Sequence, residues 1–235
     1  MGRLSDANDA NNKVVATAEG LTSDAFHRLL DLAITGRGKL QGARTIANNQ
    51  LRQRNDQEDA IRWLSNQHIA LAGGQGFATN WGGFLLSLVT IPANMAAAAF
   101  VQARAVAAIA HLRGYELNDP RVRTAILMVM LGPRGSAALI ASGDLPSSAA
   151  AVATAPAFDP RLDARVSRAL FEHSMNHVSG KRLGVFLAKR IPLVGGGVGA
   201  VVDGWSTHSI IQHAQEQFIS RRPRATAYVV VVEES

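Results

Sequence analysis

The residues best suited to chemistry are His173 and His177, four positions apart in the stretch HSMNH. On a helix this spacing turns both imidazoles to one face, as a divalent metal requires of two ligands. His208, His213 or Glu172 could supply a third, and the chemistry would be metal-assisted hydrolysis. The glutamate, however, precedes the first histidine, whereas the HExxH zinc motif sets it between the two. Both histidines also continue an apolar stripe, Leu162, Val166 and Leu170, where hydrogen-bonded core histidines are the plainer account. A second candidate is Asp203, the one acid within the oily run IPLVGGGVGAVVDGW. A carboxylate there needs a raised pKa or a partner. The plainer account is that Asp203 caps the final helix or pairs with an arginine of a basic cluster.

Other patterns fail on inspection. GRGKLQG, Gly36 to Gly42, has the glycine density of a phosphate loop without a preceding strand or the spacing of a nucleotide fingerprint. SGKR, Ser179 to Arg182, has no glycine five positions before Gly180 and is no Walker loop. No GxSxG elbow occurs, nor paired carboxylates at close helical spacing in an apolar setting. With no cysteine, thiol nucleophiles, thiolate zinc sites and disulfides are ruled out. No catalytic residue is assigned and no cofactor is expected.

Alanine and leucine dominate the 235 residues, and β-branched runs are scarce before the last dozen, so the elements holding these residues read as helices. TSDAFHRLLDLAITG is a short helix ended by Gly36. In DQEDAIRWLSNQHIALAGG, Asp56 caps a helix whose Ile61, Leu64, His68 and Leu71 share one face. From Ile69 to Ala103 there is no charged residue for 35 positions. Five glycines, Pro92, Asn80 and Asn94 break this run, which predicts two helices, Trp81–Thr90 and Pro92–Arg113, and Gly114 ends the second. Asp119-Pro120 and Asp159-Pro160 each open a further helix. SGDLPSSAAAVATAPAFDP reads as a linker near 143–160 between two lobes. A final helix runs to about Ser220, and ATAYVVVVEES alone carries a strand signal.

Glycine inside a helix costs about 1 kcal/mol relative to alanine. Gly195 and Gly199, a small-xxx-small pair, and the dense set containing Gly82 and Gly83 therefore need a compensating gain. Close backbone approach between helices supplies one, above all in or near lipid. The net charge of +6 gathers in three clusters: Arg37, Lys39, Arg44, Arg52 and Arg54; Lys181, Arg182, Lys189 and Arg190; Arg221, Arg222 and Arg224. Such patches suit an anionic surface, of lipid or of phosphate backbone. Taken singly, each is more simply a solvated helix face. Aromatics make up 6% of the chain and do not interleave with the basic clusters, which disfavours nucleic acid.

Two blocks carry a family resemblance. GGQGFATNWGGFLLSLVTIPANMAAAAFVQARAVAAIAHLRGYELNDPRVR resembles the central block of the EcsC protein family: a glycine-rich turn, an apolar stretch to a proline, a long helix and a Gly-Tyr turn. KRIPLVGGGVGAVVDGWSTHSIIQHAQEQFISR is similar to that family's C-terminal signature, an Ile-Pro-x-x-Gly motif followed by small residues. The likeness spans about residues 40–222. It implies a bacterial, mostly helical protein on the cytoplasmic side, with a membrane or ABC-exporter connection, and it transfers no catalytic residue.

The combined expectation is an all-α, compact multi-helix bundle with Gly/Ala-rich central helices and no substantial sheet. A flexible segment (1–20) precedes one helical domain (21–222), and a tail follows (223–235). The function expected is non-enzymatic: peripheral association with the inner face of the cytoplasmic membrane or with a membrane complex. Gly82, Gly83, Phe84, Pro92, Gly195, Gly199 and Trp205 would form the lipid-facing or helix-packing surface. Lys181, Arg182, Lys189 and Arg190 would supply the basic one. The alternatives are the metal-dependent hydrolase on His173 and His177, and a pocket for a hydrophobic ligand lined by Phe84, Leu88, Met95 and Trp205. The sequence sets no oligomeric state.

Overall fold

Three aspartates start helices by the same means. Oδ1 of Asp56, Asp119 and Asp159 accepts the backbone N–H of Asp59, Arg121 and Arg161 at 2.8, 2.9 and 2.8 Å, satisfying donors the first turn leaves unpaired. Pro120 and Pro160 follow at the first helical position, where the missing N–H loses nothing. The computed structural model describes residues 24–38, 40–73, 93–145, 147–188 and 195–221, with backbone alone for 73, 93–95, 175–188 and 195–203.

The order is α1 (24–35), β1 (Gly36–Arg37), β2 (Leu40–Gln41), α2 (Ala43–Arg54), α3 (Gln57–Gly73), α4 (Ala93–Leu112), α5 (Pro120–Met130), α6 (Gly132–Ala141), α7 (Ala149–Ala153), α8 (Pro160–Ala188) and α9 (Gly195–Gln217). The fold is all-α: among the described residues the sole sheet is the antiparallel pair β1–β2. That pair is the GRGKLQG stretch. Gly36 adopts φ +74°, and a Cβ on Gly42 would lie 2.3 Å from the Ile34 carbonyl oxygen. The glycines serve a tight reversal pressed against the end of α1.

α5 is buried at nearly every position from Val122 to Met130, which makes it the central helix. The same core cluster takes in Phe26, Leu29 and Leu30 of α1, Ile61 and Leu64 of α3, and Phe100, Ile109 and Leu112 of α4. Ala103, Ala107 and Ala110, all buried, let neighbouring helices approach α4 closely. Gly114 at φ +90° ends that helix's register, and Tyr115 turns in to meet the Phe218 ring edge-to-face at 5.0 Å. The stretch 143–160 contains α7, capped by Ser148, and its Ala149, Val152 and Ala153 join the same core cluster as residues before and after it.

The predicted helix Trp81–Thr90, the segment 1–20 and the tail 223–235 lie outside the described residues.

Candidate functional site

Six contacts set the register of the three helices that carry the oily segments. Arg104 Nε donates to His68 Nε2 at 3.1 Å and Arg113 grips Glu58, so α3 and α4 run antiparallel. Gln215 bonds Ser65 at 3.2 Å and Gln57 bonds Ser220 at 3.1 Å, so α3 and α9 are antiparallel too. Gln102 bonds Thr207 at 3.3 Å and the Arg221 N–H bonds the Arg113 carbonyl at 2.7 Å, so α4 and α9 are parallel. One end of this layer therefore holds the last turn of α3, the first turn of α4 and the glycine-rich half of α9. Nine residues back from Gln102 is Ala93, and nine back from Thr207 is Val198, which brings Gly195 and Gly199 level with the start of α4. The described chain stops at Gly73 and resumes at Ala93 towards this end.

Trp205, two residues before Thr207, lies level with Phe100 near the middle of α4 and has 75% of its surface exposed. As a packing residue or pocket wall it would be covered, so neither expectation holds for its side chain; what remains is a large apolar ring facing outward. Gly204, beside it, has open space where a Cβ would sit. Asp203 lies eight residues inside α9, which begins at Gly195, and so cannot be its cap. Lys181 and Arg182 lie on α8. The side-chain surroundings of Asp203, Lys181 and Arg182 lie outside the described residues, as do Gly82, Gly83, Phe84, Pro92, Lys189 and Arg190.

The metal pair fares differently at its two members. His173 is exposed on α8, with its ring 3.6 Å from the place a Cβ on Gly135 of α6 would occupy. It leaves the buried stripe of Leu162, Val166 and Leu170 because α5, which covers that stripe, has only 11 residues against the 29 of α8. The side chain of His177 lies outside the described residues, and among those described no three His, Asp or Glu groups gather to hold a metal.

A serine, a histidine and an aspartate do meet elsewhere. His27 on α1 lies 2.9 Å from Asp163 of α8, Ser167 lies 3.4 Å from the same ring, and Thr124 of α5 donates to Asp163 at 2.6 Å. Both contacts fall on His27 Nε2, whereas a nucleophilic triad needs the acid and the serine on opposite nitrogens. Ser167 is also sealed from solvent. The network instead ties three helices together. Burial opposes the Asp163 charge, but hydrogen bonds from His27 and Thr124 and the charges of His27 and Arg123 outweigh it, holding the carboxyl below its usual range.

The interior pair His68–Arg104 is less ordinary, and the spacing of residues gave no sign of it beyond His68's place on the α3 face. His68 is fully buried and Arg104 is 8% exposed. A guanidinium only donates, so His68 Nε2 accepts and Nδ1 carries the hydrogen it gives to the Leu64 carbonyl at 2.8 Å. Burial first, and the Arg104 charge second, push the imidazole down to about 4, while burial lowers Arg104 to about 10. At neutral pH the histidine is uncharged and the arginine charged.

Much of the first basic cluster is spoken for. Arg44 bonds Glu116 and Asn118 at 3.1 and 2.8 Å, Arg52 bonds Asn49, and Arg54 bonds Gln50 and lies over the Trp63 ring. Two cavities open on described residues. One, of about 230 Å³, lies between α3 and α9 among Glu58, Arg62, Ser65, His208 and Gln212, and its two charged groups at that end are engaged by Arg113 and Asp59. The other, of about 220 Å³, lies beneath Phe158 among Val152, Ala155 and Leu162. In the first, the Ser65 hydroxyl donates to the Ile61 carbonyl of its own helix at 2.7 Å.

Among the described residues no single helix is long and apolar enough to cross a membrane; the bent pair α5–α6 passes by length and composition, but α5 is the core helix. The pattern of the EcsC protein family matches residues 3–222. No curated protein and no solved structure matches the chain.

Proposed function

The chain belongs to the EcsC protein family, and on that premise we propose that it is a non-enzymatic helical module that associates peripherally with the cytoplasmic membrane or with an ABC-transporter- or secretion-linked membrane complex. The observation that supports this reading most is the convergence at one pole. The described ends of the uncharged run, Gly73 and Ala93, and the first turns of the glycine-rich α9 lie towards that pole, and Trp205 is exposed midway along α9. Tryptophan favours the water–bilayer boundary because its ring is apolar and its N–H polar. Lys181, Arg182, Lys189 and Arg190, which precede α9 in the chain, would add attraction to anionic headgroups, about 1 kcal/mol for each basic group near the surface.

Co-sedimentation of the full chain with vesicles rich in anionic phospholipid tests this. Binding at low salt that weakens as salt rises is expected. Protein left in the supernatant at low salt removes the membrane reading.

A further inference from the structure

We propose that the cavity beneath Phe158 is a binding site for a small aromatic molecule carrying one hydrogen-bond donor, an ammonium or a hydroxyl group. The cavity measures about 220 Å³ and lies where α5, α7 and the start of α8 meet. Ala151, Val152, Ala155, Phe158 and Leu162 give it apolar walls. Phe158 is 40% exposed, so the fold leaves a ring that lines this space partly uncovered.

The walls are held in place by bonds within the chain. Arg121 pairs with Asp119 and donates to the Ala155 carbonyl, which fixes one end of the loop carrying Phe158. At the other end, Asp159 Oδ1 accepts the backbone N–H groups of Arg161 and Leu162 at 2.8 and 3.2 Å. Between these anchors lie Pro156, Ala157 and Phe158, and the proline ring fixes one φ angle of the three. A site set before its ligand arrives loses little binding energy to ordering.

Size and polarity set the class of ligand. An apolar cavity of about 150 Å³ takes up one benzene, and drug-sized ligands fill pockets of roughly 300 Å³ and more. The space beneath Phe158 therefore suits a single ring with a short substituent. Most polar groups on its wall are engaged: Arg121 as above, and the Thr124 hydroxyl with the Pro120 carbonyl and Asp163 at 3.0 and 2.6 Å. What remains is Asp159 Oδ2 and the Ser147 hydroxyl, neither of which has a partner among the described residues. A carboxylate can only accept. With Asp119 balancing the Arg121 charge, the rim is left negative, so it draws in a donor and turns away an anion.

The cavity also lies away from the oily pole. Arg121 is in the first turn of α5, just after the turn that closes α4, and Gln217 at the end of α9 accepts the Ala149 N–H of α7 at 2.9 Å. The site is thus open to water at the other end of the layer and does not depend on the membrane reading.

Chemical-shift titration of the full chain, followed at the amides of Val152, Phe158 and Leu162, tests this with four probes of similar size: benzylamine, benzyl alcohol, toluene and benzoate. Benzylamine and benzyl alcohol are expected to shift these amides at millimolar concentration, toluene to do so more weakly, and benzoate to leave them in place. Ala151→Phe fills the space from an exposed position on α7 and is expected to abolish the responses. Asp159→Asn, which keeps a capping oxygen, is expected to lower the affinity for benzylamine roughly threefold. No shift with any probe, a response to toluene or benzoate as large as that to benzylamine, or benzylamine affinity unchanged in either variant overturns the proposal.

Discussion

His68 is buried beside the Arg104 charge, and that burial first and the charge second make the fold pH-sensitive. The unfolded chain takes up a proton on this histidine at pH 6.5, which the fold refuses until about 4. Stability is therefore full above pH 6.5 and falls as the pH drops towards 4, by roughly 3 kcal/mol over that interval. Urea midpoints at pH 7 and pH 4.5 measure this, and His68→Gln should flatten the part of the difference that belongs to His68. Two glycines give a matched pair of predictions. Gly204→Ala lies in a helix with open space around the new methyl, so it should stabilise by about 1 kcal/mol. Gly42→Ala drives a methyl into the Ile34 carbonyl and should destabilise by about 2 kcal/mol. Chemical denaturation of both variants checks the signs, and a stabilised Gly42→Ala would show that the hairpin is not pressed against α1. Not every glycine here answers a need for closeness: at Gly204, open space surrounds the position.

At the scale of elements, the caps were the most readable feature. Asp56, Asp119 and Asp159 all work as their sequence context requires, because capping depends only on residues within one turn. Asp119 does more: its bond with Arg121 holds its carboxyl below the usual range despite burial, and Arg121 in turn reaches the Ala155 carbonyl. Asp119→Ala should cost about 1 kcal/mol from the cap alone and should also loosen α7, visible as faster amide exchange at Val152. Unchanged exchange there would confine the aspartate to local capping. What the sequence hid is what depends on partners far along the chain. The face of Ile61, Leu64 and His68 was legible from its period, but Arg104, 36 residues on, ends an uncharged run and reads as surface. The period of α8 likewise carries His173 on the buried side, yet the helix outlasts the neighbour that would cover it. GRGKLQG offered only the glycine density of a phosphate loop, and its hairpin went unread because two-residue strands leave no alternation to detect.

On the scale of the whole molecule, the arrangement is polar in the geometric sense, with an oily end and an end closed by Arg113, Glu58 and Phe218. Trp205→Ser should weaken vesicle binding by roughly ten- to a hundredfold, since burying a large apolar side chain is worth about 1.5–3 kcal/mol. Its melting temperature should barely move, because the ring covers nothing in the fold. Vesicle affinity equal to wild type would take the tryptophan out of the contact. The far end has a practical bearing. The Arg221 N–H is latched to the Arg113 carbonyl, and the Arg221 guanidinium lies 5.3 Å from the Tyr115 ring, about one helix length from Trp205. Ile219, exposed on that side, offers a place for a single introduced cysteine. A fluorophore or surface tether attached there would sit clear of a bilayer touched by the opposite end, and immobilising the protein through it would present its greasy tip outward.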